Sequence, residues 1–373
     1  MKKVCMFIVT SAILLGMVSF SGCGASAKAT DKTISDMTVE TTGETTKASE
    51  TEVAATSAQG KGYLLVEQFI SKLQSGDTAD IMDMVYTEDA TFLSAADVVW
   101  AYQRNGLADI VGNTSAAYTL DSKSKMSDSE AVYVLDSTGD ELMTVRAIMD
   151  NDNNWKIDAS YVCVKDFQIA VPAGATVTFN SIPVDAKYIT GTYGDFDLQS
   201  IITLPLVTGQ TVTVDVVTPF GTLTSEVLPV TSEDPLDLTA IPIAATEADT
   251  ALAAASACYK TAYEKSATTG VVPAADIASY FSPNSKPAVL TDVSNNITDQ
   301  TEVALSNMVA TNVTVETNSI ISIEFTCVYN WEWFDTPLKH DLDTTLLMEK
   351  QADGTYLIFD VPDMDFFLEP IFH

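Results

Sequence analysis

Aromatic side chains recur on one face of a predicted strand near the end of the chain. In the run SIISIEFTCVYNWEWF, the alternation of strand residues places Tyr329, Trp331 and Trp333 on the same face. His340 follows on the next predicted strand, among Leu residues. Such side chains line apolar pockets and stack on sugars or ring-shaped ligands, so all four are candidate ligand-binding residues. The competing interpretation is that the rings are core or interface residues and that His340 is structural.

Trp100 and Tyr102 form a second candidate group, on a predicted helix in the N-terminal half. With Arg146, from a predicted strand, they would meet at the mouth of a pocket between helix and sheet. In the alternative interpretation, Arg146 is an ordinary solvated charge. Both groups are candidate binding residues rather than a recognisable catalytic set.

Two His residues, His340 and His373, are all that the sequence offers for His-based metal sites or catalytic triads. The sequence contains no phosphate-binding Gly loop, G-x-S-x-G elbow or H-E-x-x-H motif. Acidic residues such as Asp335, Asp341 and Asp343 lack the spacing of a calcium loop. We therefore predict no catalytic residues, no metal site and no cofactor, which favours a protein that is not an enzyme.

The charge balance limits the partners. The chain of 373 residues has 19 Lys plus Arg against 51 Asp plus Glu, a net charge of −32. This balance excludes nucleic acid, because affinity for phosphate backbones comes from basic side chains. Cationic peptides or basic envelope proteins would be attracted, whereas an anionic cell-wall component would need cation bridging or sugar stacking.

The N-terminus has the pattern of a secretion signal. Lys2 and Lys3 precede an apolar run from Val4 to Phe20, and small residues follow. The closing Ser21-Gly22-Cys23 resembles the lipobox of bacterial lipoproteins. That resemblance implies a signal peptide over residues 1–23 and a lipid anchor on Cys23. The alternative, an uncleaved anchor, would also leave the rest of the chain on the extracytoplasmic face of the cell membrane.

Three cysteines lie beyond the predicted anchor: Cys163, Cys258 and Cys327. Each sits in an apolar pattern, so we predict free, buried thiols. A Cys258–Cys327 disulfide is the alternative, because Cys327 lies on a strand that could pack over the helix carrying Cys258.

Composition and periodicity divide the remaining chain into four segments. Residues 24–61 are rich in Thr and acidic residues and contain no aromatic residue, which predicts a disordered tether. Residues 62–165 change from helical spacing to two-residue alternation. Residues 166–240 are rich in Val and Thr and punctuated by Pro and Gly, which predicts a small β-sandwich. Residues 246–373 repeat the order of helices followed by strands.

Short motifs in these segments resemble known families. Helices followed by an antiparallel meander ending in NNWKID resemble the NTF2-like domain. The pattern Val-Pro-x-Gly-Ala-x-Val-x-Phe-Asn, with the later Thr-Gly-Gln-x-Val-x-Val and Pro-Phe-Gly, resembles PEGA-type β modules. The whole order looks like the extracytoplasmic part of the TcaA family of envelope proteins. The resemblance implies an α+β fold, with two NTF2-like helix-plus-curved-antiparallel-sheet domains flanking a PEGA-like all-β sandwich, and a homodimer.

From these observations we expect a membrane-anchored extracytoplasmic lipoprotein that acts as a non-catalytic binding or scaffolding protein at the cell envelope. One alternative is a sensor or carrier that holds a small molecule or peptide in an NTF2-like cone pocket. A second alternative is an NTF2-like enzyme.

Overall fold

The computed structural model describes residues 58–137, 139–226, 229–230, 235–297, 304–333 and 336–362. Cys23 and the predicted signal peptide lie outside these residues, as does most of the predicted tether. None of the helices that the model describes combines the length and apolar character needed to span a membrane.

The first α+β unit starts with helix α1, Ala58–Ser75. Helical spacing in the sequence predicts a buried face formed by Leu65, Phe69, Ile70 and Leu73. Phe69, Ile70 and Leu73 are fully buried, but Val66 takes the fourth place and Leu65 is only half-buried. The helix begins four residues before the expected start at residue 62. A Cβ on Gly62 would lie 2.7 Å from the Tyr133 hydroxyl, so the helix start is held by close packing against a strand distant in the sequence.

Two further helical segments and a five-stranded sheet complete this unit. Helix α2 covers Ile81–Met84, and α3 covers Ala95–Tyr102 with a π-helical turn over Gln103–Leu107. The strands are β1 Val85–Tyr86, β2 Thr119–Ser127, β3 Glu130–Ser137, β4 Asp140–Met149 and β5 Trp155–Asp158. They lie in the order β1-β5-β4-β3-β2, and only the β1–β5 pairing is parallel. The sheet packs its apolar face on α1 around Tyr133, Val145 and Ile157.

The middle of the chain is an all-β unit with two four-stranded sheets. One sheet has the order β13-β6-β10-β9 and the other β12-β11-β7-β8. The strands are β6 Val164–Pro172, β7 Thr176–Phe179, β8 Ile182–Pro183, β9 Ile189–Tyr193, β10 Gln199–Val207, β11 Thr213–Thr218, β12 Gly221–Glu226 and β13 Leu236–Asp237. Phe167 of the first sheet meets Phe179 of the second, with ring centroids 6.5 Å apart. The two sheets therefore share a core, as in a sandwich.

The second α+β unit repeats the order of the first. Its helices are α4 Ala245–Thr269, α5 Ala274–Ile277 and α6 Pro287–Asn296. A four-stranded antiparallel meander follows, formed by β14 Ala304–Val315, β15 Ile320–Trp333, β16 Thr336–Lys350 and β17 Tyr356–Asp360. The sequence pattern predicts a loop over about residues 284–301, where helix α6 lies, and it does not predict strand β14. The predicted α+β class is confirmed, with helix-plus-antiparallel-sheet units on either side of an all-β unit.

The three units are joined by packed side chains and by backbone hydrogen bonds. Phe92, from the loop before α3, lies between Phe179 and Tyr188 of the all-β unit, at ring distances of 5.7 and 5.1 Å. On the other side, the turn after β14 meets the turn after β6: Ala173 N donates to Glu316 O at 3.0 Å, and Asn318 N donates to Ala173 O at 3.0 Å. The apolar core of the all-β unit continues into that of the second α+β unit.

Candidate functional site

A polar cavity of about 510 Å³ lies where the all-β unit meets the second α+β unit; we call it the junction pocket. One wall is the outer face of the last sheet, and the other is the turn between β9 and β10 together with the segment after β13. Its lining residues are Tyr193, Gly194, Asp195, Phe196, Gln199, Asp237, Thr239, Asn312, Thr314, Glu316, Ser322, Glu324 and Thr345.

Strand alternation explains the polar wall. On β14, the side chains of Asn312 and Thr314 face the pocket, while Val313 and Val315 face the core. Register then places polar neighbours side by side, because Thr314 pairs with Ser322, and Glu324 pairs with both Asn312 and Thr345. The outer face of three adjacent strands thus forms one continuous polar surface.

The opposite wall is shaped by a tight turn. Gly194 has a φ of +85°, and a Cβ there would lie 2.7 Å from the Gln199 side-chain oxygen. Tyr193 donates to Asp237 at 3.4 Å, and the Thr239 hydroxyl donates to the same carboxylate at 2.6 Å. These contacts hold the turn and the segment after β13 together beside the last sheet.

The pocket has a buried floor and an exposed rim. Gln199, Thr239, Glu316 and Ser322 are buried, whereas Asp195, Asp237, Asn312 and Glu324 are exposed. Burial is the largest cause that raises the pKa of Glu316 to about 7, and the nearby Asp195 raises it further. A side-chain hydrogen bond with Gln199 partly opposes this rise. Glu316 is thus poised to exchange a proton near neutral pH.

Several polar groups in the pocket lack protein partners. Ser322 is 6 % exposed, and its hydroxyl makes no hydrogen bond with any residue that the structure describes. The side chains of Thr314 and Glu324 are likewise without a hydrogen-bond partner in the described part of the chain. A hydrogen-bonding group that faces a cavity and has no protein partner is available to a ligand group or to water. The arrangement suits hydrogen-bonded recognition.

Tyr329, a sequence-predicted candidate, lies in the core of the second unit. It is 1 % exposed, and its ring meets Tyr259 of α4 edge-on at 5.4 Å. Tyr259 stacks in turn on Tyr263 at 4.3 Å. Trp331 and Trp333 continue the same strand, and backbone register places His340 opposite Tyr329. The side chains of Trp331, Trp333 and His340 lie outside the described residues.

The candidates in the first unit have separate partners. Tyr102 is buried and its ring meets Phe69 edge-on at 4.9 Å, while Trp100 lies under the guanidinium of Arg104 at 5.5 Å. Arg146 instead forms ion pairs with Glu130 at 2.8 Å and with Asp158 at 3.3 Å. Trp100 and Arg146 thus have different partners, and the described contacts do not join them at one pocket mouth as the sequence predicted.

The three described cysteines are free thiols, as predicted, but Cys163 is half-buried and not buried as expected. Cys258 and Cys327 are buried, and burial raises the pKa of each thiol to about 12. At such a pKa the nucleophilic thiolate is scarce at neutral pH.

A smaller cavity of about 200 Å³ lies between the first unit and the all-β unit. Asp89 on its wall accepts hydrogen bonds from Tyr188 at 2.6 Å and Lys187 at 3.4 Å. The hydrogen bonds from Thr91 and Tyr188 hold the pKa of Asp89 well below its usual range. Its carboxylate is thus already satisfied by protein groups, unlike the polar groups of the junction pocket. Across the described residues, His, Cys, Asp and Glu form no group of three or more that could hold a metal ion.

Comparison with known proteins leaves the family open. No family model and no curated protein matches the sequence. One solved structure, described as an Ntf2-like protein involved in plasmid conjugation, aligns with 72 % of this chain and 92 % of its own. The identity is 10 % and the TM-score is 0.21, a value too low to establish a shared fold.

One wall of the junction pocket has a recognisable pattern in the sequence. In TNVTVET, residues 311–317, polar and Val residues alternate as they do on a strand with one solvated face. The opposite wall, more than a hundred residues earlier, carries no comparable signal.

Proposed function

We propose that the protein is a non-catalytic, membrane-anchored lipoprotein of the extracytoplasmic face that binds a polar ligand of the cell envelope in the junction pocket. The observation that carries the binding role is the buried polar floor with open hydrogen-bonding groups, Ser322 above all. A pocket between two units that share a core is also pre-formed, which lowers the entropic cost of binding.

The anchoring role rests on the N-terminal sequence. The basic start, the apolar run and the Ser21-Gly22-Cys23 motif support lipidation of Cys23. The repeated helix–sheet order and the all-β unit between the two copies are consistent with the proposed NTF2-like and PEGA-like assignments and with a TcaA-like arrangement. Fold alone does not give function, so the binding role is argued from the pocket.

Anchoring is tested by labelling cells with radioactive palmitate. The wild-type protein is expected to carry the label and to fractionate with membranes, and the Cys23→Ser variant to lose the label. A Cys163→Ser variant is the matched control and should keep it. An unlabelled wild-type protein would contradict the lipoprotein assignment.

Binding is tested by sedimentation of the full-length protein, in non-ionic detergent, with purified cell-wall sacculi over a salt series. Retention at high salt that is lost in Glu324→Gln would assign wall binding to the junction pocket. Retention lost instead in Trp331→Ala with Trp333→Ala would assign it to the aromatic strand and overturn the pocket. No retention in any condition would overturn wall binding and direct the search to peptide and protein ligands of the envelope.

A further inference from the structure

The charge of the junction pocket favours a cation. Four carboxylates line it, Asp195, Asp237, Glu316 and Glu324, and its described lining contains no Lys, Arg or His. Like charges gathered in a concave site raise the local concentration of counter-ions. The negative charge of the pocket would therefore repel an anionic ligand, and it would add no binding energy for a neutral ligand.

The floor offers acceptors in the pattern that an ammonium group needs. An alkylammonium has three donors and no acceptor. Glu316 and the hydroxyls of Ser322 and Thr314 lie next to one another across β14 and β15, and both hydroxyls lack partners in the described chain. The interaction of Glu316 with Gln199 engages only part of the carboxylate, which has further lone pairs that can accept from a ligand.

The rim adds aromatic surface beside these carboxylates. Tyr193 and Phe196 both line the pocket, and Tyr193 is 37 % exposed. Ring faces attract organic cations and cover the methylene chain that carries an amine. A bare metal ion would gain little from such rings, and the carboxylates do not converge into a metal-binding group among the described residues.

From this geometry we propose that the junction pocket binds an alkylammonium group on an extended chain, such as the side chain of lysine in a basic peptide. The ammonium lies on the floor between Glu316 and Ser322, and its methylene chain passes the rings of the rim. This inference rests on the proposed binding function and names its ligand class.

Binding of an ammonium group should be coupled to the release of a proton from Glu316. An ammonium favours the ionised form of Glu316, whose pKa is about 7 in the free protein, so binding should release a proton. The charged groups around Glu316 are Asp195, Asp237 and Glu324, and none of them supplies a competing cation. Affinity should therefore increase as the pH rises from 6 to 8.

The test is isothermal titration of the full-length protein, in non-ionic detergent at 0.15 M salt, with N-acetyl-tri-lysine amide. The matched ligand is the same peptide with all three side-chain amines acetylated, which removes the charge and keeps the shape. The protein variants are Glu316→Gln and Glu324→Gln. Asp292→Asn is the control, because it removes one exposed carboxylate from α6, outside the pocket lining.

We expect binding of the charged peptide to weaken about tenfold or more in Glu316→Gln and about threefold in Glu324→Gln. Asp292→Asn should change the affinity less than about twofold. Proton release, measured at pH 6.5 from the heats in two buffers, should disappear in Glu316→Gln.

Three results would overturn the ligand assignment: equal binding of the acetylated peptide, equal weakening in Glu316→Gln and Asp292→Asn, or no binding of the charged peptide. None of these alters palmitate labelling or sedimentation with sacculi. Failure of the ligand class is thus distinguishable from failure of the proposed function.

Discussion

The burial of Glu316 in the junction pocket lowers the stability of the folded protein when its carboxyl group ionises. Its backbone joins the second α+β unit to the all-β unit, because its carbonyl accepts from Ala173 N. Its side chain is consequently held in a buried position, where ionisation is unfavourable. A carboxyl group whose pKa is raised by burial beside a cavity is a candidate for a functional site.

The pH dependence of stability should reveal this cost. The pKa of Glu316 is raised to about 7 in the folded protein, so the unfolded chain loses its proton first as pH rises. Stability is therefore expected to fall between about pH 5 and 8, by about 1–3 kcal/mol. Glu316→Gln should remove this fall.

Urea unfolding of the full-length protein at pH 5 and pH 8 measures the effect. The pKa of Glu247 is lowered in the folded protein, so its titration contributes below this window. Asp292→Asn should retain the wild-type profile. A Glu316→Gln variant with the wild-type profile would contradict the burial argument.

At the scale of elements, a few side chains connect the first α+β unit to the all-β unit. The loop carrying Phe92 reaches into the all-β unit, and Leu206 of that unit reaches the core of the first. Within the second α+β unit, Lys350 at the end of β16 donates to Glu247 in the first turn of α4 at 2.7 Å, and Tyr356 of β17 donates to the same carboxylate at 2.5 Å.

Phe92→Ala should destabilise the protein by about 3–5 kcal/mol, because the ring is 2 % exposed and leaves a cavity between Phe179 and Tyr188. It should also separate the first unit from the rest, which limited proteolysis would detect as faster cleavage near residue 164. Val271→Ala, at a position 54 % exposed, is the control and should change stability by less than about 0.5 kcal/mol. Equal effects of the two substitutions would exclude a connecting role for Phe92.

The Glu247–Lys350 pair should show a coupling energy of about 0.5–1.5 kcal/mol in a double-mutant cycle of Glu247→Gln and Lys350→Met at pH 7. The hydrogen bonds from Lys350 and Tyr356 lower the pKa of Glu247, so the coupling should be lost as pH falls below about 4. The exposed Lys260–Glu264 pair on α4 is the matched cycle and should give no more than about 0.5 kcal/mol. Coupling that persists at pH 3 would contradict an electrostatic origin.

At the scale of the molecule, the three units are not independent domains of equal standing, because two of them share a core. One apolar core runs from the all-β unit into the second α+β unit, while the first unit has its own core around α1. The shared core also fixes the two walls of the junction pocket relative to each other, which a flexible linker would not do.

The shared core predicts that the all-β unit and the second α+β unit unfold together. In hydrogen exchange with increasing urea, peptides from β10 and from β15 should converge on one unfolding free energy. Peptides from α1 are expected to follow a separate curve. Loss of protection in β10 at lower urea than in β15 would contradict a shared core.

The sequence by itself determined the α+β class, the repeated order of helices and strands and three of the four residues on the buried face of α1. These features follow from local periodicity and composition, which depend on neighbouring residues alone. The sequence pattern does not reveal α6 or β14, because a short helix and a strand with a polar outer face have weak apolar periodicity.

The tertiary structure alone decided which polar residues meet. Gln199 and Glu316 are more than a hundred residues apart, and only the packing of two units places them in one pocket. It also decided that Tyr329 packs on α4, because alternation defines a strand face without telling what covers it. Periodicity predicts which side chains share a face of a strand or helix. Which two faces pack together depends on contacts between distant segments, and a local pattern does not encode these.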